Sequence, residues 1–168
     1  MDQLEFTKKF VAIEHYGISY GTNPYTYHLD QVCIVLNRFG FLEKDNKDLH
    51  IAATLHDVIE DTNISYRQID FAFGSVVADA VYSVTNEMGR TRLERFKKTY
   101  PKIMANEMGL KIKLADRIAN IEFSHGIDSR HAKKYQEEWP VFKSNLLNEN
   151  ETDDRINKMW AYLCTLLD

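Results

Sequence analysis

Apolar residues recur every three or four positions along most of this chain, and no segment alternates convincingly at period two. Leu4, Phe6, Phe10, Val11 and Ile13 predict a first helix over residues 4–15, ending near Gly17. The stretch from Gly17 to Tyr27 carries Gly-Thr and Asn-Pro pairs and reads as a loop. A second helix over 28–39 buries Val32, Ile34, Val35 and Leu36 and stops at Gly40, and a third covers 47–60. Helices follow at 66–73, cut by Gly74, and at 76–84. Asn86 to Thr91 is polar and glycine-containing, a loop. Further helices are expected over 92–107, kinked before Pro101, and over 110–123, broken around Ser124-His125-Gly126. Two more close the chain at 128–148, disturbed by Pro140, and at 152–167. The fold class is all-α, a helical bundle over residues 1–168 as one domain. Its core spans about 4–125, with the last helices capping the core or forming a subunit contact.

Composition narrows the class. With 168 residues the chain can bury a real core, and 44% hydrophobic with 27% charged residues fits a globular protein. The net charge of −4, with both signs interspersed, excludes a general nucleic-acid binder or membrane-surface protein. No apolar run reaches the length of a membrane span. Cys33 and Cys164 sit in apolar helical patterns, which favours reduced core thiols and a cytoplasmic setting over a disulfide or zinc cage. An oligomer is compatible with all of this.

The densest chemistry lies in Leu55-His56-Asp57-Val58-Ile59-Glu60-Asp61-Thr62. Read as continuous helix, it puts His56 and Glu60 on one face at i, i+4, with Asp57 and Asp61 one residue on. Ile51, Leu55, Val58 and Ile59 then form the core side. The plainer alternative is a helix end with Asp61-Thr62-Asn63 as solvated turn residues.

Farther along, Ile112, Leu114, Ala115, Ile118 and Ile121 cover most of a helix that also carries Asp116. Asn120 shares its face at i, i+4, and Lys113 joins at i−3. A carboxylate buried there must be paired or metal-bound, and an ordinary pair with Lys113 or Arg117 stays open. His28 opens the second helix, as a cap, a core group or a ligand. Together His28, His56, Asp57 and Asp116 offer two imidazoles and two carboxylates, a mixed set suited to Mn²⁺, Fe²⁺ or Zn²⁺. Glu60 and Asp61, one turn on, can orient or deprotonate a bound water.

These motifs, Leu-His-Asp-Val-Ile-Glu-Asp-Thr and Lys-Leu-Ala-Asp-Arg, resemble those of the HD-domain phosphohydrolases, and most closely the alarmone hydrolases of the RelA/SpoT type. Asn23-Pro24-Tyr25-Thr26-Tyr27-His28 is similar to that family's Gly-x-Pro-Tyr-Ile-x-His segment, and Phe73-Gly74 with Val84-Thr85 to its Phe-Gly and Val-Thr stretch. The resemblance spans about residues 10–125. It implies an all-helical domain with Mn²⁺ held by His28, His56, Asp57 and Asp116, and Glu60 and Asp61 acting on the nucleophilic water. It further implies removal of the 3′-diphosphate of guanosine tetra- or pentaphosphate, a small nucleotide substrate. Asn120, Arg92 and Tyr135 match positions near the family's sugar and phosphate contacts.

The chain also departs from the family. Ser19-Tyr20-Gly21 stands where an Arg-Lys pair is usual, so Tyr20 is expected to stack on a base without supplying a cation. Glu122 replaces a basic residue and is expected to weaken a polyphosphate pocket. Two other classes therefore stay open: an HD phosphohydrolase acting on another nucleotide, such as the 2′-phosphate of NADPH or a nucleoside phosphate, and a non-catalytic nucleotide-binding protein.

Overall fold

A computed structural model describes residues 2–127 and 129–167, with side chains outside 127–132. The three-to-four periodicity translates into an all-helical bundle. Its elements are α1 (Gln3–Glu14), α2 (Thr26–Arg38), α3 (Lys47–Leu55), α4 (Val58–Asp61), α5 (Tyr66–Phe73) and α6 (Ser75–Val84). There follow α7 (Arg92–Met104), α8 (Glu107–Ile127), α9 (Ser129–Leu146) and α10 (Asp154–Leu167). The stretch expected to be a plain loop between the first two helices contains a minimal antiparallel hairpin, β1 (Ser19–Tyr20) with β2 (Asn23–Pro24). Gly21 makes its turn with a left-handed φ of 61°.

The core is built on α8, whose Ile112, Leu114, Ala115, Ile118 and Ile121 are all buried. A helix apolar on nearly every side must be surrounded. α8 packs against α2, α3, α6, α7, α9 and α10. Trp139 and Phe142 of α9 meet Trp160 of α10 with ring centroids 6.0 and 5.8 Å apart, so the last helices share the same core as the first.

Two expected boundaries are corrected. The helix expected over 47–60 stops at Leu55 and restarts at Val58, leaving His56 and Asp57 in the gap. His56 Nδ1–H donates to the Ala53 carbonyl at 2.8 Å, the acceptor that the Asp57 N–H would use in a continued helix. The chain then re-nucleates on the Asp57 carbonyl, which accepts from the Glu60 and Asp61 N–H groups at 3.0 Å each. In contrast, α8 does not break around Ser124-His125-Gly126 but runs to Ile127. Ser124 Oγ–H donates back to the Asn120 carbonyl at 2.7 Å, keeping its polar group inside the helix. Packing outweighs one glycine, which costs about 1 kcal/mol in a helix interior. The helix expected over 128–148 begins at Ser129, residue 128 lying outside the described residues. Of the two thiols, Cys33 is buried as expected, whereas Cys164 is only partly so; both are free.

Two glycines of α8 should respond oppositely to alanine. A Cβ on Gly109 would lie 2.2 Å from Ser83 Oγ, which is pinned to the Ala80 carbonyl, whereas one on Gly126 meets nothing within 4 Å. In urea unfolding, Gly109→Ala should lower stability by about 1–2 kcal/mol, overpacking outweighing the propensity gain. Gly126→Ala should raise it by about 0.5–1 kcal/mol if the helix is continuous there.

Candidate functional site

The gap between α3 and α4 aims two side chains at α2 and α8. His28, from the first turn of α2, and His56 are both buried to 2% exposure. Asp57 Oδ2 lies 3.0 Å from His56 Nε2 and 3.7 Å from His28 Nε2. Asp116 Oδ1, from α8, lies 3.3 Å from His28 Nε2 and 3.9 Å from His56 Nε2. Donors sharing an ion at bonds of about 2.0–2.2 Å stand about 3–4.3 Å apart, and these four separations fall in that interval. His56 supplies the sharper test. Its Nδ1 proton is committed to Ala53, which turns Nε2 toward Asp57 Oδ2 at 3.0 Å and, in the neutral ring, leaves the lone pair on Nε2. An imidazole fixed in that tautomer is a prepared metal ligand. His28, His56 and Asp116, with ligand atoms within 4.8 Å of one another, fit a divalent cation, and Asp57 stands beside both histidines. Glu60 does not share a helix face with His56, as the uninterrupted helix would have required, but follows on the separate segment α4.

Electrostatics agree with this fit. Burial pushes the Asp57 carboxyl up, but His56 beside it more than reverses this and holds it below the usual carboxylate range. For Asp116 the same burial is outweighed by the Lys113 ammonium, 2.9 Å from Oδ2, and by both histidines, leaving it well below that range. Burial disfavours a charged His56, yet the Asp57 and Asp116 carboxylates raise it to about 9 in the absence of metal. Asp61 moves the other way, raised by burial and by the Asp57 charge.

A ring of side chains braces the four. Tyr25 Oη–H donates to Asp57 Oδ2 at 2.5 Å, and its ring stacks on the buried His15, centroids 4.9 Å apart. Asn120 Nδ2–H donates to Asp116 Oδ1, and its Oδ1 accepts from Tyr20 Oη–H at 2.8 Å. The Tyr20 ring lies 4.7 Å from that of His28 and 4.2 Å from that of Phe123. Asn120 and Tyr20 are thus brought to the four ligands and already engaged there.

Arg92 and Tyr135 sit on the neighbouring flank. Arg92 Nε–H donates to Glu138 Oε1 at 2.5 Å, and Arg117 donates to Glu138 Oε2 at 2.9 Å. The buried Tyr135 ring lies under Arg117 at 4.9 Å. Burial pushes the Tyr135 hydroxyl up to about 12. Glu122 turns away from the four ligands, pairing with Arg38 at 2.8 Å and accepting from Tyr162 Oη–H at 2.7 Å, so it ties α8 to α2 and α10. Glu60 places both carboxylate oxygens on Asn86, at 2.7 Å from its backbone N and 2.9 Å from Nδ2. Sequence reading assigned no role to Tyr25, His15, Glu138 or Asn86 at this site, whereas the Asp116–Lys113 pair it left open is present at 2.9 Å. Tyr25 and Asn86 lie in or beside the quoted motifs, but contacts across 32 and 26 positions leave no periodic signal.

No family model matches the chain. Among curated proteins, it is 30% identical over 99 residues to the guanosine-3′,5′-bis(diphosphate) 3′-pyrophosphohydrolase MESH1 of Drosophila melanogaster. The match takes in 58% of this chain and 54% of that protein. The enzyme of the same description from Aquifex aeolicus is 32% identical over 104 residues, covering 59% of this chain and 14% of its own length. The resemblance is to alarmone hydrolases. The chain spans about half of the MESH1 proteins (54%) and a small part (14%) of the longer relative. In structure, a metazoan SpoT ortholog described as hydrolysing ppGpp superposes with a TM-score of 0.76 at 21% identity, covering 97% of this chain and 96% of its own. A Listeria monocytogenes protein gives a TM-score of 0.60 at 24% identity over 83% of this chain and 93% of its own. These neighbours share the all-helical fold.

If Asp57 is a ligand, its partner Tyr25 orients it, and Tyr25→Phe should weaken divalent-metal affinity by about 10- to 100-fold in competition with a fluorescent chelator, while folding is retained. His56→Ala should leave no measurable affinity at this site.

Proposed function

We propose that this chain is a divalent-metal-dependent phosphohydrolase, acting as one domain over residues 1–168, that removes the 3′-diphosphate of guanosine tetra- or pentaphosphate. The observation that carries this reading is the convergence of His28, His56 and Asp116, whose ligand atoms lie within 4.8 Å of one another, with Asp57 beside both histidines. The similarity to guanosine-3′,5′-bis(diphosphate) 3′-pyrophosphohydrolases names the substrate class. Mn²⁺ is the ion we assign to the site, with Fe²⁺ or Zn²⁺ as substitutes of similar ligand preference.

A divalent ion held by these four residues supplies Lewis-acid polarisation of a phosphoryl oxygen and acidifies a water bound to it. The protein's part is positioning and proton handling. Lys113 and Asn120 hold Asp116 in place through its two oxygens, and Tyr25 does so for Asp57. Glu60, on α4, accepts a proton from the attacking water or orients it. Asp61, raised by burial and by the Asp57 charge, holds a proton more readily than an exposed carboxylate and can pass it to the leaving diphosphate oxygen. Arg92, at present on Glu138, is the exposed cation we assign to a phosphate, and Tyr135 lines the same flank. Asn120 and Tyr20 face the nucleoside side of the site. Free thiols at Cys33 and Cys164 suit a reducing cytoplasm. Among the described residues no helix is long and apolar enough to cross a membrane.

One observation favours a second substrate. Tyr20 brings no cation where the family has a basic pair, and its ring already packs on His28 and Phe123. This points to a pocket retuned for another nucleotide, with the same chemistry at the metal.

A Mn²⁺-supplemented release assay on guanosine tetraphosphate, NADPH and simple nucleotides, resolving pyrophosphate from phosphate, separates the two. Pyrophosphate from the tetraphosphate is expected. Phosphate from another nucleotide, with the tetraphosphate untouched, overturns the substrate assignment and keeps the reaction class. In the same assay Glu60→Gln should retain bound metal and lose about 10²- to 10⁴-fold in turnover, as for removal of a general base. An unchanged rate would move that role to another group.

A further inference from the structure

Glu60 and Asp61 are adjacent, yet they are held by different means. Glu60 projects from α4, a segment of four residues, and is exposed. A glutamate there has three rotatable bonds and would ordinarily sample many rotamers, at a side-chain entropy of about 1.5–2 kcal/mol when fixed. Instead both its oxygens are gripped by one residue. Asn86 N–H donates to Oε1 at 2.7 Å and Asn86 Nδ2–H to Oε2 at 2.9 Å.

Asn86 is itself anchored from both sides. Before it, the Thr85 N–H and hydroxyl both return to the Val81 carbonyl, at 3.1 and 2.9 Å. Lys102 Nζ, from α7, donates to the carbonyls of Thr85 and Tyr82 at 2.9 and 3.2 Å. After it, Glu87 N–H donates to Thr99 Oγ1 at 3.0 Å, and the Glu87 carboxylate pairs with Lys102 at 2.6 Å. Asn86 Oδ1 is buried and has no partner, so Glu60 alone orients the side-chain amide. A simple loop cap would need neither this double grip nor its cost, since a buried unpaired acceptor is unfavourable.

We propose that Asn86 is a positioning residue that fixes the Glu60 carboxylate for its work on the attacking water. A carboxylate offers about four lone-pair sites, and Asn86 takes two, leaving one on each oxygen for a water proton. Thr99 and Lys102 set the height of the loop, and Asn86 transmits it to Glu60. The inference rests on the hydrolase reading above and names a residue that reading does not contain.

Steady-state pyrophosphate release from guanosine tetraphosphate by the full, Mn²⁺-loaded chain tests it. Asn86→Ala should lower kcat by about 10- to 100-fold, the scale of a misplaced catalytic group, with KM and bound metal unchanged. Asn86→Ser, which like Ala keeps the backbone grip but retains a shorter side-chain donor, should fall between Asn86→Ala and the unmodified protein; it is also the variant to use if Asn86→Ala melts early. Over a Glu60→Gln background, Asn86→Ala should add less than about 2-fold, because both changes then act through one group. An unchanged kcat in Asn86→Ala, or an equal loss with and without Glu60, overturns the proposal in favour of a structural role. If the unmodified protein releases no pyrophosphate, the substrate reading fails instead. The amide resonances of Asn86 then decide: displacement by Glu60→Ala upholds the grip, and resonances that do not move overturn it.

Discussion

Everything at this site depends on keeping two carboxylates, each within 4 Å of both of two imidazoles, away from bulk water. Left alone, such a cluster would expel a charge or take up protons. Three of the four are instead neutralised or steered by a neighbour of fixed identity. Lys113 lies one helical turn from Asp116 and offsets its charge, while Asn120, one turn on the other side, takes the remaining oxygen. Tyr25 holds Asp57, and the Ala53 carbonyl sets the tautomer of His56. Two of these braces belong to α8, whose apolar residues are buried in the core, so they are anchored by its packing. An ion bound there would meet groups already held in place.

The break between α3 and α4 shows how local chemistry overrides periodicity. Apolar spacing alone favours a single helix over 47–60, and the buried Ile51, Leu55 and Val58 agree with it on both sides of the gap. What the pattern omits is that an imidazole can compete for a backbone carbonyl. By taking the Ala53 carbonyl, His56 ends one helix and is aimed at the same time. The opposite case is α8, where a Ser-His-Gly run reads as a stop but the surrounding helices hold the segment helical. Breaking a helix depends on whether its hydrogen bonds have somewhere better to go.

Much of the architecture was legible in the order of apolar residues, and the all-helical fold with its principal helices follows from it. The four candidate ligands were legible too, because acids and histidines stand out inside apolar runs: His56-Asp57, Asp116 and His28 each interrupt one. The bracing groups were not. Tyr25, Asn86 and Glu138 are residue types common on any surface, and only contacts 32, 26 and 46 positions apart give them meaning. Glu122 carried the wrong signal, since charge alone says nothing of direction, and its side chain turns toward Arg38 and Tyr162.

The carboxylate of Glu138 is shared by an exposed arginine and a buried one, Arg92 at 43% side-chain exposure and Arg117 at 4%. This asymmetry gives the flank a reserve of mobile positive charge. Were Arg92 to leave for an anion, Arg117 would remain to balance Glu138, and no acid would be stranded in the interior. The cluster would pass from a net charge of +1 to neutral, and the guanidinium would carry its whole charge with it. A fold of overall negative charge can in this way offer a cation on demand without storing an unpaired one.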